Sequence, residues 1–370
     1  MITDINPSKI KSDNHLSNLF INANFSNLSI NCNILKGNFF SDSFYYFPIT
    51  ENNETFSSLF TRDLNNISHF YSQKFFDNFK DNKNSLKKFT ELYVLGSNAG
   101  NNYYSNLLQF LPRIFFNKKT NLKLAIHRNS SNKYRNFIKS ILKSLNIEFT
   151  FVFLDDDFYQ FTDSEFPQFL SMNDSIEMLK KFINPKTNVE ISKKIYVTRE
   201  DSNYRKILNE SDVVTILRER GYKVINPQLY EIDEQIEIFS NAEKIIAPHG
   251  SNLANIIFCN PGTKVYEIGP NSNHFYDNTL SKRYENLCKI CNLKYHKFVC
   301  DSLLHPLIAW ESSLMGDFVE STARMYRLDS ERMAAIFPWC SLKWALIIAG
   351  RAARQFGAGQ LDLAHESRNK

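Results

Sequence analysis

Residues 244–270 read KIIAPHGSNLANIIFCNPGTKVYEIGP, and few architectures accommodate that order of residue types. The run at 244–247 is short and isoleucine-rich, as a buried strand requires. Pro248-His249-Gly250 interrupts it, because proline fixes φ and glycine tolerates a sharp reversal. Ser251 and Asn252 can then cap a short helix over 252–259, which stops at Asn260-Pro261-Gly262. A second strand over 265–268 carries Glu267 near its carboxyl end. A helix that starts directly after a glycine turn aims unpaired N–H groups and the positive end of its dipole beyond the sheet edge. Diphosphates bind at such places in α/β folds. An ordinary crossover, with His249 a hydrogen-bonded turn residue and Glu267 a solvated strand end, has the same local pattern, so the rest of the chain must decide.

The α/β rhythm extends to both sides. Strands are expected over 92–95, 122–126 and 147–153, with helices over 103–116 and 132–145; Pro112 must kink or divide the first helix. Residues 158–185 are mixed. From 194 the alternation is cleaner, with strands over 194–197, 223–225, 244–247, 264–268 and 295–299. Helices over 210–220, 231–240, 252–258 and 279–291 separate them, which describes a doubly wound parallel sheet. The expected organisation is an irregular N-terminal extension (1–88, with strand-like pieces at 28–34 and 44–49), a first Rossmann-like domain (89–190), a second (191–300) and a helical tail (301–370).

The tail is set apart by composition. Residues 1–300 hold 41 Asn, no Trp and 6 Ala, whereas residues 301–370 hold one Asn, all three Trp and 10 Ala. Such a break marks a segment of separate origin. Its Trp339 and Trp344 are expected to dock helices through apolar contact and to contribute nothing to a nucleotide site. A net charge of +5 suits an anionic ligand and is too small to argue for nucleic acid. With no apolar run of membrane-spanning length, no secretory pattern at the start and six irregularly spaced cysteines, a reducing cytoplasm is the expected compartment.

The residues that bear on function form an ordered series. A strand ends at Arg199, Asn209-Glu210 follows, and Glu234-Gln235 lies on a helix; the stretch from His249 to Asn255 and a strand ending in Glu267 complete the series. In that order they resemble the core of the family 61 glycosyltransferases, whose members show a strand-end basic residue, an Asn-Glu pair, "EQ", "HGAxLxN" and a strand-end Glu. NNYYSNLLQFLPR at 101–113 resembles that family's earlier "NYYHWLLDxLPR", with Ser105 and Gln109 in place of the usual His and acid. In the tail, FPWCSLKWALII faintly resembles the end of aminoglycoside-phosphotransferase-like proteins, without their catalytic loops.

The resemblance implies a GT-B-like fold, two Rossmann-like doubly wound domains facing a cleft. It implies an inverting transferase that moves a sugar from a nucleotide-sugar donor, UDP-linked, to a glycan or lipid-linked glycan acceptor in surface or capsular polysaccharide synthesis. No cofactor is implied beyond that co-substrate, and no nucleic acid partner. Peripheral association with the inner face of a membrane is compatible with such an acceptor. The implied donor-binding residues are Arg199, Asn209, Glu210, His249, Gly250, Ser251, Asn252, Asn255 and Glu267. Asn102 and Tyr104 fall on the acceptor side, and His249, Arg113 and Asp155 are the catalytic candidates.

Physical chemistry gives each a part and a plainer alternative. Arg199 offers a planar fork for phosphate oxygens, or a surface ion pair with Glu200 or Asp201. Glu267 can accept from two ribose hydroxyls. Asn209 is also a good helix cap, and Arg113 also a plausible partner for an acid. The departing diphosphate can be stabilised by amides and Arg199 without a metal. Asp155-Asp156-Asp157 could instead hold a divalent cation, and Cys288, Cys291, His296 and Cys300 could hold zinc; the bland readings are a solvated loop and structural thiols. A catalytically inactive nucleotide- or glycan-binding module of the same fold is the other functional class, favoured by Ser105 and Gln109.

Overall fold

The computed structural model describes residues 83–155, 157–183, 192–200, 210–270 and 282–300, with shorter N-terminal pieces, chiefly 20–25, 30–43 and 46–51. The tail, Asp156 and Asn209 lie outside the described residues. Among those described, no helix is long and apolar enough to cross a membrane.

Two sheets organise the described residues. The first comprises β1 (Phe20–Phe25), β2 (Ile30–Asp42), β3 (Pro48–Thr50), β4 (Lys87–Thr90), β5 (Tyr93–Val94), β6 (Asn121–His127), β7 (Glu148–Leu154) and β8 (Phe158–Pro167). Their order is β1-β2-β8-β5-β6-β7, with β3 on β2 and β4 on β8. β5, β6 and β7 are parallel, as expected; β8, in the stretch read only as mixed, joins them in parallel, but β2 runs antiparallel to β8, so the sheet is mixed rather than doubly wound throughout. The described N-terminal strands β1, β2 and β3 are therefore part of this sheet, beyond the strand-like pieces expected at 28–34 and 44–49. The pattern was hidden because Asn31 and Asn38 sit at exposed positions of β2 and Asn33 at a half-exposed one, where their usual preference for turns disguises the alternation.

Helical segments cover this sheet. The segment α1 spans 103–116 as one turn of α-helix (Tyr103–Ser105), a wide π turn (Asn106–Phe110) and a 3₁₀ stretch (Leu111–Phe116) that accommodates Pro112 near its start. α2 (Asn132–Ser144) begins where the Ser131 hydroxyl accepts from the Tyr134 N–H, and it buries Tyr134, Phe137, Ile138, Ile141 and Leu142 at helical spacing. α3 (Met172–Phe182) is capped in the same way by Ser171.

The second sheet matches the expectation closely. β9 (Lys194–Val197), β10 (Lys223–Ile225), β11 (Lys244–Pro248), β12 (Lys264–Pro270) and β13 (Lys294–Cys300) lie in the order β10-β9-β11-β12-β13, parallel at every pairing. The connecting helices are α4 (Glu210–Glu219), α5 (Ile232–Asn241), the 3₁₀ helix α6 (Ser251–Phe258) and α7 (Arg283–Ile290). The chain leaves β9 toward β10 on one side and later returns to β11 on the other. The point between β9 and β11 is therefore the topological switch, where the loops at the strands' carboxyl ends diverge and open a crevice. Both sheets share one apolar core, which runs from Leu124 and Ile138 through Leu107 and Leu108 to Leu253, Ile245 and Val265.

Candidate active site

The crevice at the switch is where the chemistry gathers. Arg199 stands two residues past the end of β9 and His249 directly follows β11, so the order of strands alone places both at its mouth. The His249 N–H donates to the Ile268 carbonyl at 2.7 Å, which fastens the turn to β12. Arg199 lies across Gly250, with Nη1 donating to the His249 carbonyl at 3.1 Å. A Cβ at position 250 would sit 1.7 Å from Arg199 Nη1. Glycine is required here for close approach, since its φ of 178° is extended backbone open to any residue. Ser251 and Asn252 do not cap α6 with their side chains; Gly250 occupies the cap position, so the first N–H groups of the helix receive no side-chain cap.

Behind the turn lies a buried polar pair. His249 is 3% exposed and Glu267 is 0% exposed. Nδ1 of His249 and Oε1 of Glu267 are 2.5 Å apart, and the Tyr295 hydroxyl donates to the other carboxylate oxygen at 2.7 Å. Burial, reinforced by Glu267, pushes the Tyr295 hydroxyl far above its ordinary pKa, so it remains a donor. A carboxylate with two donors places the imidazole proton on Nδ1. Both oxygens of Glu267 are thus engaged inside the protein, and the expected grip on ribose hydroxyls gives way to orientation of His249. The reason is alternation along β12: Val265 and Glu267 face the core with Tyr295, while Tyr266 and Ile268 face the other way.

Other residues set the turn in place. Tyr284 donates its hydroxyl to the Gly250 carbonyl at 2.6 Å and meets the His249 ring edge to face at 5.1 Å. Tyr284 also contacts Tyr104 edge to face at 6.1 Å, and Arg283 lies 4.4 Å over the Tyr104 ring. Tyr104, expected on the acceptor side, therefore reaches the turn at Gly250 through one aromatic residue. Beside it, Tyr103 donates to Asn255 Oδ1 at 2.6 Å, and Asn255 Nδ2 donates to Gln235 Oε1 at 3.1 Å. Asn255 is wholly buried in this relay, which ties α1 to α5 and α6, so it positions the site from below. Asn102 caps α1 by accepting from the Ser105 N–H.

Glu210 is likewise internal. Its Oε1 accepts from Tyr196 and Thr198 hydroxyls at 2.8 Å each and from the Arg199 N–H at 3.1 Å, which holds the backbone from which Arg199 extends. Glu234 accepts from the Glu231 N–H at the start of α5, and Gln235 donates to the Pro227 and Tyr230 carbonyls. The "EQ" pair is therefore a cap and a strut.

Two catalytic candidates stand elsewhere. Arg113 is 0% exposed and donates to the carbonyls of Val94, Leu95 and Pro167, with its guanidinium over Phe166 and Phe169. Burial pushes its pKa down to about 10, still a cation at neutral pH, and its donors go to main-chain carbonyls of the first sheet rather than to the crevice. Asp155 directly follows β7 at the sheet edge, about half-exposed and paired with Arg128, while Asp157 pairs with Lys87. Among the described residues no group of three or more His, Cys, Asp or Glu side chains could hold a metal ion. Cys288 and Cys291 are buried, and burial drives both thiols up, Cys288 to about 12, which disfavours the thiolate a zinc site needs. His296 stacks on Tyr266 instead.

Sequence reasoning missed Tyr284, Tyr295 and Tyr103. Period-two alternation in β13 puts Tyr295 on the face of Glu267 once β12 and β13 are paired; Tyr103 lay within the family-like stretch 101–113 without being singled out, and no local signal marked Tyr284. Exchanging Gly250 for alanine is expected to displace Arg199. The clash falls on the end of a flexible side chain, so melting should drop only a few degrees, as ~1 kcal/mol costs would produce. Anion affinity at the crevice should fall at least tenfold by calorimetry, and unaltered affinity would separate Arg199 from the site.

No curated protein matches the chain. A family model described as Glycosyltransferase 61 matches residues 37–266, which takes in most of the first sheet from the second half of β2 onward, Arg199, Glu210 and the turn at His249 and Gly250. By that match, which spans well over half of its length, the chain belongs to the glycosyltransferase 61 family.

Proposed function

We propose that the chain is an inverting, metal-independent transferase that moves a sugar from a nucleotide-sugar donor, UDP-linked, to a glycan or lipid-linked glycan acceptor in polysaccharide synthesis at the cell interior. The observation that carries the proposal is the convergence at one sheet switch of Arg199, the uncapped start of α6 and the His249–Glu267 pair. Arg199 and the first amides of α6 hold the diphosphate, where they stabilise charge as the leaving group departs. His249, with its proton on Nδ1 facing Glu267, accepts the acceptor hydroxyl proton at Nε2 as the acceptor oxygen attacks the anomeric carbon. The bond from that carbon to the phosphate oxygen breaks, and the nucleoside diphosphate leaves with the electron pair. A single displacement inverts the anomeric configuration. A GT-B-like cleft, with the acceptor entering from α1 by way of Tyr104, accommodates this scheme, and Asp155 is set aside as base because Arg128 already engages it.

A panel of nucleotide sugars tests the proposal. One donor should raise the melting temperature, because a ligand that binds only the folded state stabilises it. Turnover should survive EDTA, and NMR of the product should show inversion. Arg199→Ala should remove most of the thermal shift. A donor that binds without turnover or hydrolysis would instead support a binding module, and activity lost to chelation and restored by Mn²⁺ would overturn the metal-free scheme.

A further inference from the structure

The amino edge of the second sheet, opposite the crevice, carries a row of like charges. Lys194, Lys244, Lys264 and Lys294 are the first residues of β9, β11, β12 and β13, and they are paired in direct register across four adjacent strands. Neighbouring strands lie about 4.8 Å apart, so the row spans roughly 14 Å. Residues in register point to the same face, and like charges side by side on a sheet repel. Lys294 is exposed and the other three are half-exposed. Lys194 donates to the Arg220 carbonyl at the end of α4 and lies over the Tyr222 ring. Among the described residues, no ion pair or side-chain hydrogen bond engages Lys244, Lys264 or Lys294. The one acid at this edge with a described pair, Glu243, is bound to Lys193 rather than to the row.

We infer that this edge is an electrostatic seat for an anionic lipid surface. The row is continuous across four strands, and it is built wholly from lysine, a strongly hydrated point charge suited to a diffuse field of headgroups. Arginine, whose planar fork recognises individual phosphates and bases, is absent from it. Ile290, exposed in the last turn of α7, lies at the same edge and adds an apolar contact beside the charge. The strands run away from the row toward the crevice, so His249 stands five residues from Lys244, roughly 16 Å along β11. A protein seated on the row holds the crevice clear of the lipid plane. The inference does not depend on the reaction proposed above.

Vesicle flotation of the full chain tests it. The protein should float with phosphatidylcholine vesicles containing about a third phosphatidylglycerol and remain unbound to pure phosphatidylcholine. Salt of about 1 M should release it, because screening then acts within roughly 3 Å. Each lysine near an anionic surface is worth about fivefold in partitioning, so the triple change Lys244→Gln, Lys264→Gln, Lys294→Gln should lower binding roughly a hundredfold. A charge-matched control, Lys36→Gln, Lys88→Gln, Lys139→Gln, removes exposed lysines from the first sheet and α2 and should bind as the unmodified chain does. A melting temperature equal in the two triples shows that both are folded. Equal loss in the control, equal binding to neutral vesicles, or retention on DNA without vesicle binding would overturn the assignment.

Discussion

Replacing Glu267 with glutamine is expected to cut turnover by roughly a hundredfold to ten-thousandfold while nucleotide affinity stays within a few-fold. The amide is nearly isosteric, so the wholly buried site keeps its packing. What is lost is the anionic acceptor that keeps the His249 proton on Nδ1 and stabilises the imidazolium formed when Nε2 takes a proton. Tyr295→Phe removes one neutral donor from the same carboxylate and should cost about tenfold, the worth of a single hydrogen bond. His249→Ala combined with Glu267→Gln should be no slower than His249→Ala alone, since groups acting as a unit are not additive. Initial rates and calorimetric affinities for the four variants decide the matter. A Glu267→Gln enzyme within threefold of the unmodified rate would exclude the pair from proton transfer.

Arg113→Ala is expected to destabilise the protein by more than about 4 kcal/mol, in the range reserved for buried networks. Its side chain is the donor to the Val94, Leu95 and Pro167 carbonyls, and each group left unsatisfied in the core costs about 1–3 kcal/mol. The cavity between Phe166 and Phe169 adds to the loss. Arg113→Lys keeps the charge but supplies one nitrogen where three now donate, and should lose less, about half as much. Denaturant midpoints by circular dichroism measure both. A soluble Arg113→Ala protein with an unchanged midpoint and no turnover would return Arg113 to the catalytic candidates.

These two residues mark the boundary between what was legible in the sequence and what was not. All five strands of the second sheet could be read from short β-branched runs, and the helices between them from caps, glycines and apolar spacing, because such signals lie within a few residues of one another. The crevice followed from that reading, since consecutive parallel strands with helical crossovers admit few orders and each places Arg199 and His249 at carboxyl ends. In the first sheet only the start of the long strand β2 was legible, as the strand-like piece at 28–34; its extent was disguised by its asparagines and its pairing lay out of reach, as its partner β8 is more than a hundred residues away.

The sequence by itself therefore determined the α/β class, the second sheet, the turn at Gly250 and the family resemblance, all of which rest on local chemistry. Only the tertiary structure decided what each polar side chain does. Glu267 meets partners 18 and 28 residues distant, Arg113 meets a carbonyl 54 residues away, and Tyr103 reaches Asn255 across 152 residues. A charged group near a crevice can face a ligand or be consumed inside the fold. Which of these happens depends on strand pairing and on the demand of buried carbonyls and hydroxyls for partners, and neither is written in the spacing of residues along the chain.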